Sequence, residues 1–298
     1  VLWDITADVH RRQTQSSDES MSALWLFVLH RMRDTADVPR ADVRNGAIAN
    51  LFQVLVQYNS SLYAKDWERV FFEILFPLYD AMHKDPEWDE SQTLVLQGTA
   101  RILQTILPAL SQDAAFPKIW AMFVERVEQT YAGASPKVAQ TALDALLAVL
   151  RTPVTTPALR KAWRDAWEAW VRIGAAQRSD TSLTNLVSIV ALLEPLYATL
   201  EANLSQDTLQ SLLRTLERCV THGIAHSDAT STKQLYALVS GVRKALERLP
   251  SRDNVPALRL ESLAAYVRCA LEAAAQPSLP GPVARVRVQL AEDLLMHW

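Results

Sequence analysis

From Asp42 onward, apolar residues recur in three- and four-residue steps through Val43, Ala47, Ile48, Leu51, Phe52, Leu55 and Val56, with Arg40, Asn50, Gln53 and Gln57 outside that set. Such spacing draws one buried stripe along a helix and leaves its other face polar. Pro39 stands near the start, where proline is tolerated. After a polar break at Asn59 and Ser60, a second stripe runs through Trp67, Val70, Phe71, Ile74, Leu75, Leu78 and Met82, and the short connection makes the two helices antiparallel neighbours. The pattern continues over residues 94–110, 116–131, 138–150, 159–171, 183–200, 209–220, 235–246, 258–271 and 286–295, separated by Ser, Asp, Pro and Gly clusters that cap or stop helices. Pro195 is expected to kink or divide its segment, and Gly223 to end the helix before it. About twelve helices and no sustained period-two alternation predict an all-α fold.

Self-similarity sharpens this class. Asp37, Pro39, Val43, Arg44, Ala47 and Leu51 form an acidic-proline lead into a Val-Arg helix, and a degenerate copy returns at Ser135, Pro136, Val138, Ala142 and Leu146. Val95 lies between them, 52 residues after Val43 and 43 before Val138. Those steps bracket the 40–47 residue period of HEAT and armadillo hairpins, so the expected architecture is an α-solenoid. One array over 1–298 is expected, with residues 13–20 as a mobile loop. Asp37, Arg40 and Arg44 are expected to be a structural ladder between adjacent repeats, in preference to a charged binding edge.

Composition narrows the function classes. Seven glycines, where ordinary usage gives roughly 20, leave little material for phosphate loops or β-hairpin turns. A net charge of -3 provides no chain-wide attraction for nucleic acid. Two cysteines, Cys219 and Cys269, suit a reducing cytoplasm better than a disulfide framework. The chain opens on VLWDIT without a methionine, as an excised piece of a longer protein would.

Candidate chemistry is sparse. Cys219, His222 and His226 have helical spacing for a metal, but no fourth ligand is near and the expected stop at Gly223 would turn His226 away, so no metal and no cofactor is expected. Glu87, Asp89 and Glu90, or Asp4 and Asp8, fit solvated charge better than acid-base work. Nucleophile elbows, Walker loops, zinc-protease helices and CxxC pairs are absent from the sequence, and the expectation is a non-enzyme. Trp163, Trp167 and Trp170 share a helix face among Arg160, Lys161, Arg164 and Arg172. That arrangement is a candidate basic-aromatic platform for a partner or anionic lipid, although tryptophans at this spacing usually form core.

The ordered series LWDITADVHRR, LWLFVLHRM, DVPRADVRNGAIANLF, WERVFFEILFPLYDAM and WDESQTLVLQGTARIL resembles the C-terminal HEAT region of the Mon-two (monensin-sensitivity) family of Golgi and endosome scaffolds. The large brefeldin-inhibited-class Arf exchange factors are similar over the same block, but Arg44-Asn45-Gly46-Ala47 and residues 93–103 favour the Mon-two side. The resemblance is strongest over 1–150, and 151–298 carries further helical hairpins. It implies a non-catalytic scaffold in vesicular trafficking, cytoplasmic and peripheral on trans-Golgi and endosome membranes. The implied partners are a Dopey-family protein, a phospholipid flippase and an Arf-like GTPase. A homodimer and peripheral membrane contact are compatible with it. The alternatives it implies are a regulatory HEAT region of an exchange factor or a lipid-binding module.

Overall fold

The computed structural model describes residues 2–13, 19–82, 86–176, 180–200, 205–227, 231–249 and 255–275, with positions 284, 288, 289 and 292. Every regular element among them is helical, and the fold is an all-α solenoid. Residues 14–18 of the expected loop and most of the expected 286–295 helix lie outside the described residues. The chain divides into two compact units, Val1–Asp165 and Ala166–Trp298.

In the first unit the order is α1 (Leu2–Gln13), α2 (Glu19–Thr35), α3 (Ala41–Gln57), α4 (Ala64–Arg69), α5 (Phe76–Ala81), α6 (Asp89–Leu110), α7 (Phe116–Gly133), α8 (Pro136–Leu150) and α9 (Pro157–Ala175), the last crossing into the second unit. One row of helices packs α3 on α6 and α6 on α8, while α2 and α7 close hairpins against α3 and α8. Long aliphatic and aromatic side chains fill the space between the rows, including Leu29, Ile48, Phe71, Val95, Ile119 and Leu146. Burial of this kind is what holds short helices that would be marginal alone.

The hairpin period is written in the polar contacts. Ser22 donates to Asp66 44 residues on, Ser135 to Asp89 across 46, Gln104 to the Ala148 carbonyl across 44, and Trp120 to the Ala162 carbonyl across 42. Each joins a residue to its counterpart one hairpin away, at the HEAT-like step the sequence suggested.

Between α4 and α5 the backbone runs as a π-helical segment, Val70–Leu75. Pro77 has no N–H for the carbonyl four residues back, and that carbonyl, of Glu73, instead accepts from Arg33 Nη1 at 2.7 Å. The second stripe is therefore three helical pieces around a proline, with its freed acceptor satisfied by α2.

The second unit contains α10 (Leu183–Ala191), α11 (Leu193–Leu200), α12 (Gln206–His226), α13 (Thr232–Glu247) and α14 (Val255–Ala274). Helix α10 packs on α13, and α12 on α14 and α13. The expected division before Pro195 is present: α10 ends at Ala191, whose carbonyl Pro195 cannot serve. Gly223 does not end its helix, which continues to His226. A Cβ there would stand 2.7 Å from Leu238 Cδ2, so the glycine lets α12 approach α13.

Candidate interaction surface

Three residues were expected to bridge repeats, and one does. Arg44 on α3 is 1% exposed. Its Nη1 donates to the carbonyls of Val38 and Pro39 at 3.0 and 2.7 Å, its Nη2 to the Glu87 carbonyl at 3.2 Å, and its Nε to Ser91 Oγ at 2.7 Å. Trp88 lies against the guanidinium, 3.7 Å from carbon to ring centroid. Arg44 thus ties the turn before α3 to the turn before α6, using a planar fork no other side chain offers. Asp37 is exposed outside this clamp, and Arg40 forms a bidentate pair with Asp42, 2.7 Å for each bond, that holds the Asp42 carboxyl below its ordinary value. Val43, expected in the stripe, is 40% exposed because the helix is rotated to bury Arg44 instead.

Helix α9 separates the proposed platform into its two chemistries. Arg160, Lys161, Arg164 and Arg172 are exposed, alongside exposed Asp165 and Glu168. Trp163, Trp167 and Trp170 are buried. In the first unit Trp163 stacks on Trp120 at 5.3 Å and donates to the Leu150 carbonyl. In the second, Trp167 stacks on Trp170, which donates to the Ile189 carbonyl at 2.7 Å. With all three rings buried and the N–H groups of Trp163 and Trp170 bonded inside, the aromatic half of the platform is removed from the surface.

Cys219 is buried and does not form a ligand set with the histidines; among the described residues no group of three or more His, Cys, Asp or Glu is placed to hold a metal ion. His222 and His226 stack at 4.1 Å between centroids, and His226 Nδ1 lies 3.0 Å from the His222 carbonyl. They border a polar recess of about 260 Å³ with Thr181, Ser182, Ser231 and Gln234. Burial, and then the neighbouring His226, lower the pKa of His222. Asp89, one of the candidate carboxylates, accepts from Ser135 at 2.6 Å.

Sequence reasoning missed two polar clusters. Glu73 accepts both Arg69 bonds, at 2.8 and 3.1 Å, and contacts His30 at 3.2 Å, with Arg69 the main cause of its lowered pKa. Arg126 donates to Asp80 at 2.7 Å and faces the Phe76 ring, while Tyr79 bonds the Arg126 carbonyl and Thr130. Burial raises the tyrosine's pKa. Their shared sequence signal was the 43–51 residue spacing between complementary polar residues, the hairpin period itself.

Comparison with known proteins places this geometry in a lineage. The family described as "GBF1-like, tetratrico peptide repeat region" matches residues 25–174. Protein MON2 homolog of Drosophila melanogaster is 22% identical over 189 residues, 51% of this chain and 11% of that protein. Protein MON2 homolog of Homo sapiens is 21% identical over 154 residues, 43% of this chain and 9% of that protein. The matched stretch is thus about a tenth of either relative's length. No solved structure matches the chain.

Proposed function

The chain belongs to the GBF1-like tetratrico peptide repeat region family, and from that membership we propose that it is a non-catalytic scaffold segment in Golgi and endosome trafficking. The observation that carries the reading is the family match over 25–174, the stretch that holds the hairpin-to-hairpin ladder of Arg44, Asp89 and Trp120. Such a ladder fixes helix faces rigidly enough to present them to other proteins. The similarity to the two MON2 homologs favours the Mon-two side and supports a peripheral location on trans-Golgi and endosome membranes. No helix among the described residues is long and apolar enough to cross a membrane. The partners proposed are a Dopey-family protein, a phospholipid flippase and an Arf-like GTPase.

The test is made in the cell of origin with the full-length protein, tagged at its own locus. It is expected to coincide with trans-Golgi and endosome markers, to co-precipitate a Dopey-family protein, and to lose both on deletion of residues 25–174. Uniform cytoplasmic distribution, with cargo recycling intact after the deletion, would sink the proposal. A second reading, the regulatory region of an Arf exchange factor, is favoured by the family's own description. It requires that the deletion change the rate of nucleotide exchange on an Arf GTPase by the purified full-length protein.

A further inference from the structure

Helices α10 and α11 on one side and α13 on the other enclose an open groove of about 380 Å³ in the second unit. Small residues on α13, Ala237, Gly241 and Ala245, recur every four positions along it, facing Val187, Ala191 and Leu193. A Cβ on Gly241 would stand 3.1 Å from Val190 Cγ1, so the helices meet closely at that point. The one hydroxyl on the floor, of Tyr197, is already spent on the Ala245 carbonyl at 2.9 Å. Charge is confined to the rim, where Arg248 reaches Glu194 at 3.4 Å and Lys244 is exposed in the last turn of α13.

We propose that this groove receives an amphipathic helix of a partner protein, seated by an apolar stripe and oriented by a carboxylate that meets Lys244. Two features select that occupant. The walls offer an extended peptide no backbone partners, so its N–H and C=O groups would be desolvated without compensation, whereas a helix satisfies its own. The rim holds two cations against one carboxylate that Arg248 already engages, leaving Lys244 to select an acidic partner over a basic one. The inference names the partner class for the scaffold reading and rests on that reading for its biological role, but its physical content is independent of membership in the trafficking machinery.

The experiment uses the complete 298-residue chain and a fluorescein-labelled helical peptide of about four turns, with leucine at helix-face spacing and glutamate on both flanks. Its twin carries lysine at every glutamate position. Fluorescence anisotropy is expected to show the acidic peptide binding at least about tenfold tighter than the basic one. Lys244→Glu should abolish that preference, and Ala237→Trp, which fills the groove, should weaken the acidic peptide at least about tenfold. A spin label on the acidic peptide should broaden the methyl signals of Val187, Val190 and Leu193, which tests the site without any substitution. Equal affinity for the twins, or broadening confined to another surface, overturns the proposal. A chain that dimerises through this groove, seen as a dimer in sedimentation that Ala237→Trp converts to monomer, overturns it in favour of a second copy. Absence of peptide binding by the unaltered chain with Golgi localisation intact removes the groove alone; peptide binding without Golgi localisation removes the scaffold reading alone.

Discussion

A buried guanidinium among neutral acceptors is stable only while its fork stays filled, because each lost bond exposes both a desolvated cation and a stranded carbonyl. Four hydrogen bonds and the Trp88 face fill Arg44's. Arg44→Lys keeps the charge but cannot span two turns, and is expected to lower stability of the first unit by roughly 2–3 kcal/mol. Urea unfolding followed by far-UV circular dichroism measures this, and Arg40→Lys, at an exposed pair, should leave the midpoint in place. His222 provides a second test. Its pKa is depressed in the folded chain, so the unfolded chain binds more protons just below the ordinary value of 6.5. The stability it contributes is complete above 6.5 and is lost as pH falls toward the folded value. Thermal midpoints between about pH 7.5 and 5.5 should therefore decline, and His222→Gln should flatten the decline. Glu73 does not confuse the result, because its depressed pKa acts only below its ordinary 4.5.

Glycines distinguish packing from propensity at the scale of whole helices. Gly98 lies where α6 crosses α3, and a Cβ there would enter the ring of buried Phe52. Gly98→Ala is expected to cost about 1–2 kcal/mol, the overpacking penalty exceeding the gain of roughly 1 kcal/mol in helix propensity. At Gly46 nothing lies within 4 Å, so Gly46→Ala should stabilise by that propensity gain. Calorimetric midpoints that moved the same way for both would refute this account of α3–α6 packing. These helices also show what periodicity can reveal. Segments such as 116–131 and 138–150 are legible because apolar residues dominate their core positions, with Arg126, Thr130 and Thr141 the buried polar exceptions, and they match α7 and α8 closely. Arg44 defeats the same pattern: a hydropathy stripe assigns Val43 inward, whereas hydrogen bonds to Val38 and Pro39 nearby and to Glu87 and Ser91 more than 40 residues on bury the arginine. Gly223 reads as a stop in sequence because a glycine's close approach to Leu238 has no local signature. On α9 the tryptophan spacing and the charged positions are both legible, but whether the rings are core or platform depends on Trp120, Leu150 and Ile189, which no local pattern joins to them.

At the scale of the molecule, magnitudes decide between a protein-binding and a membrane-binding role. The exposed cations of α9 exceed its exposed carboxylates, Asp165 and Glu168, by two. At about 1 kcal/mol per basic residue near an anionic surface, that surplus gives roughly 2 kcal/mol, less than a lone acyl anchor provides. Insertion of an aromatic wedge would have to make up the difference, and Trp163, Trp167 and Trp170 are buried in the core. The chain's overall charge of -3 opposes rather than aids the approach. On these magnitudes α9 does not hold a membrane by itself, and the proposed recruitment runs through a protein partner. Purified chain is expected to remain unbound in flotation with phosphatidylserine vesicles at about physiological salt, where screening acts within some 8 Å, and reversing Arg160, Lys161 and Arg164 to glutamate should change nothing. Flotation that the reversal abolishes would transfer the membrane contact to α9 and make the partner dispensable.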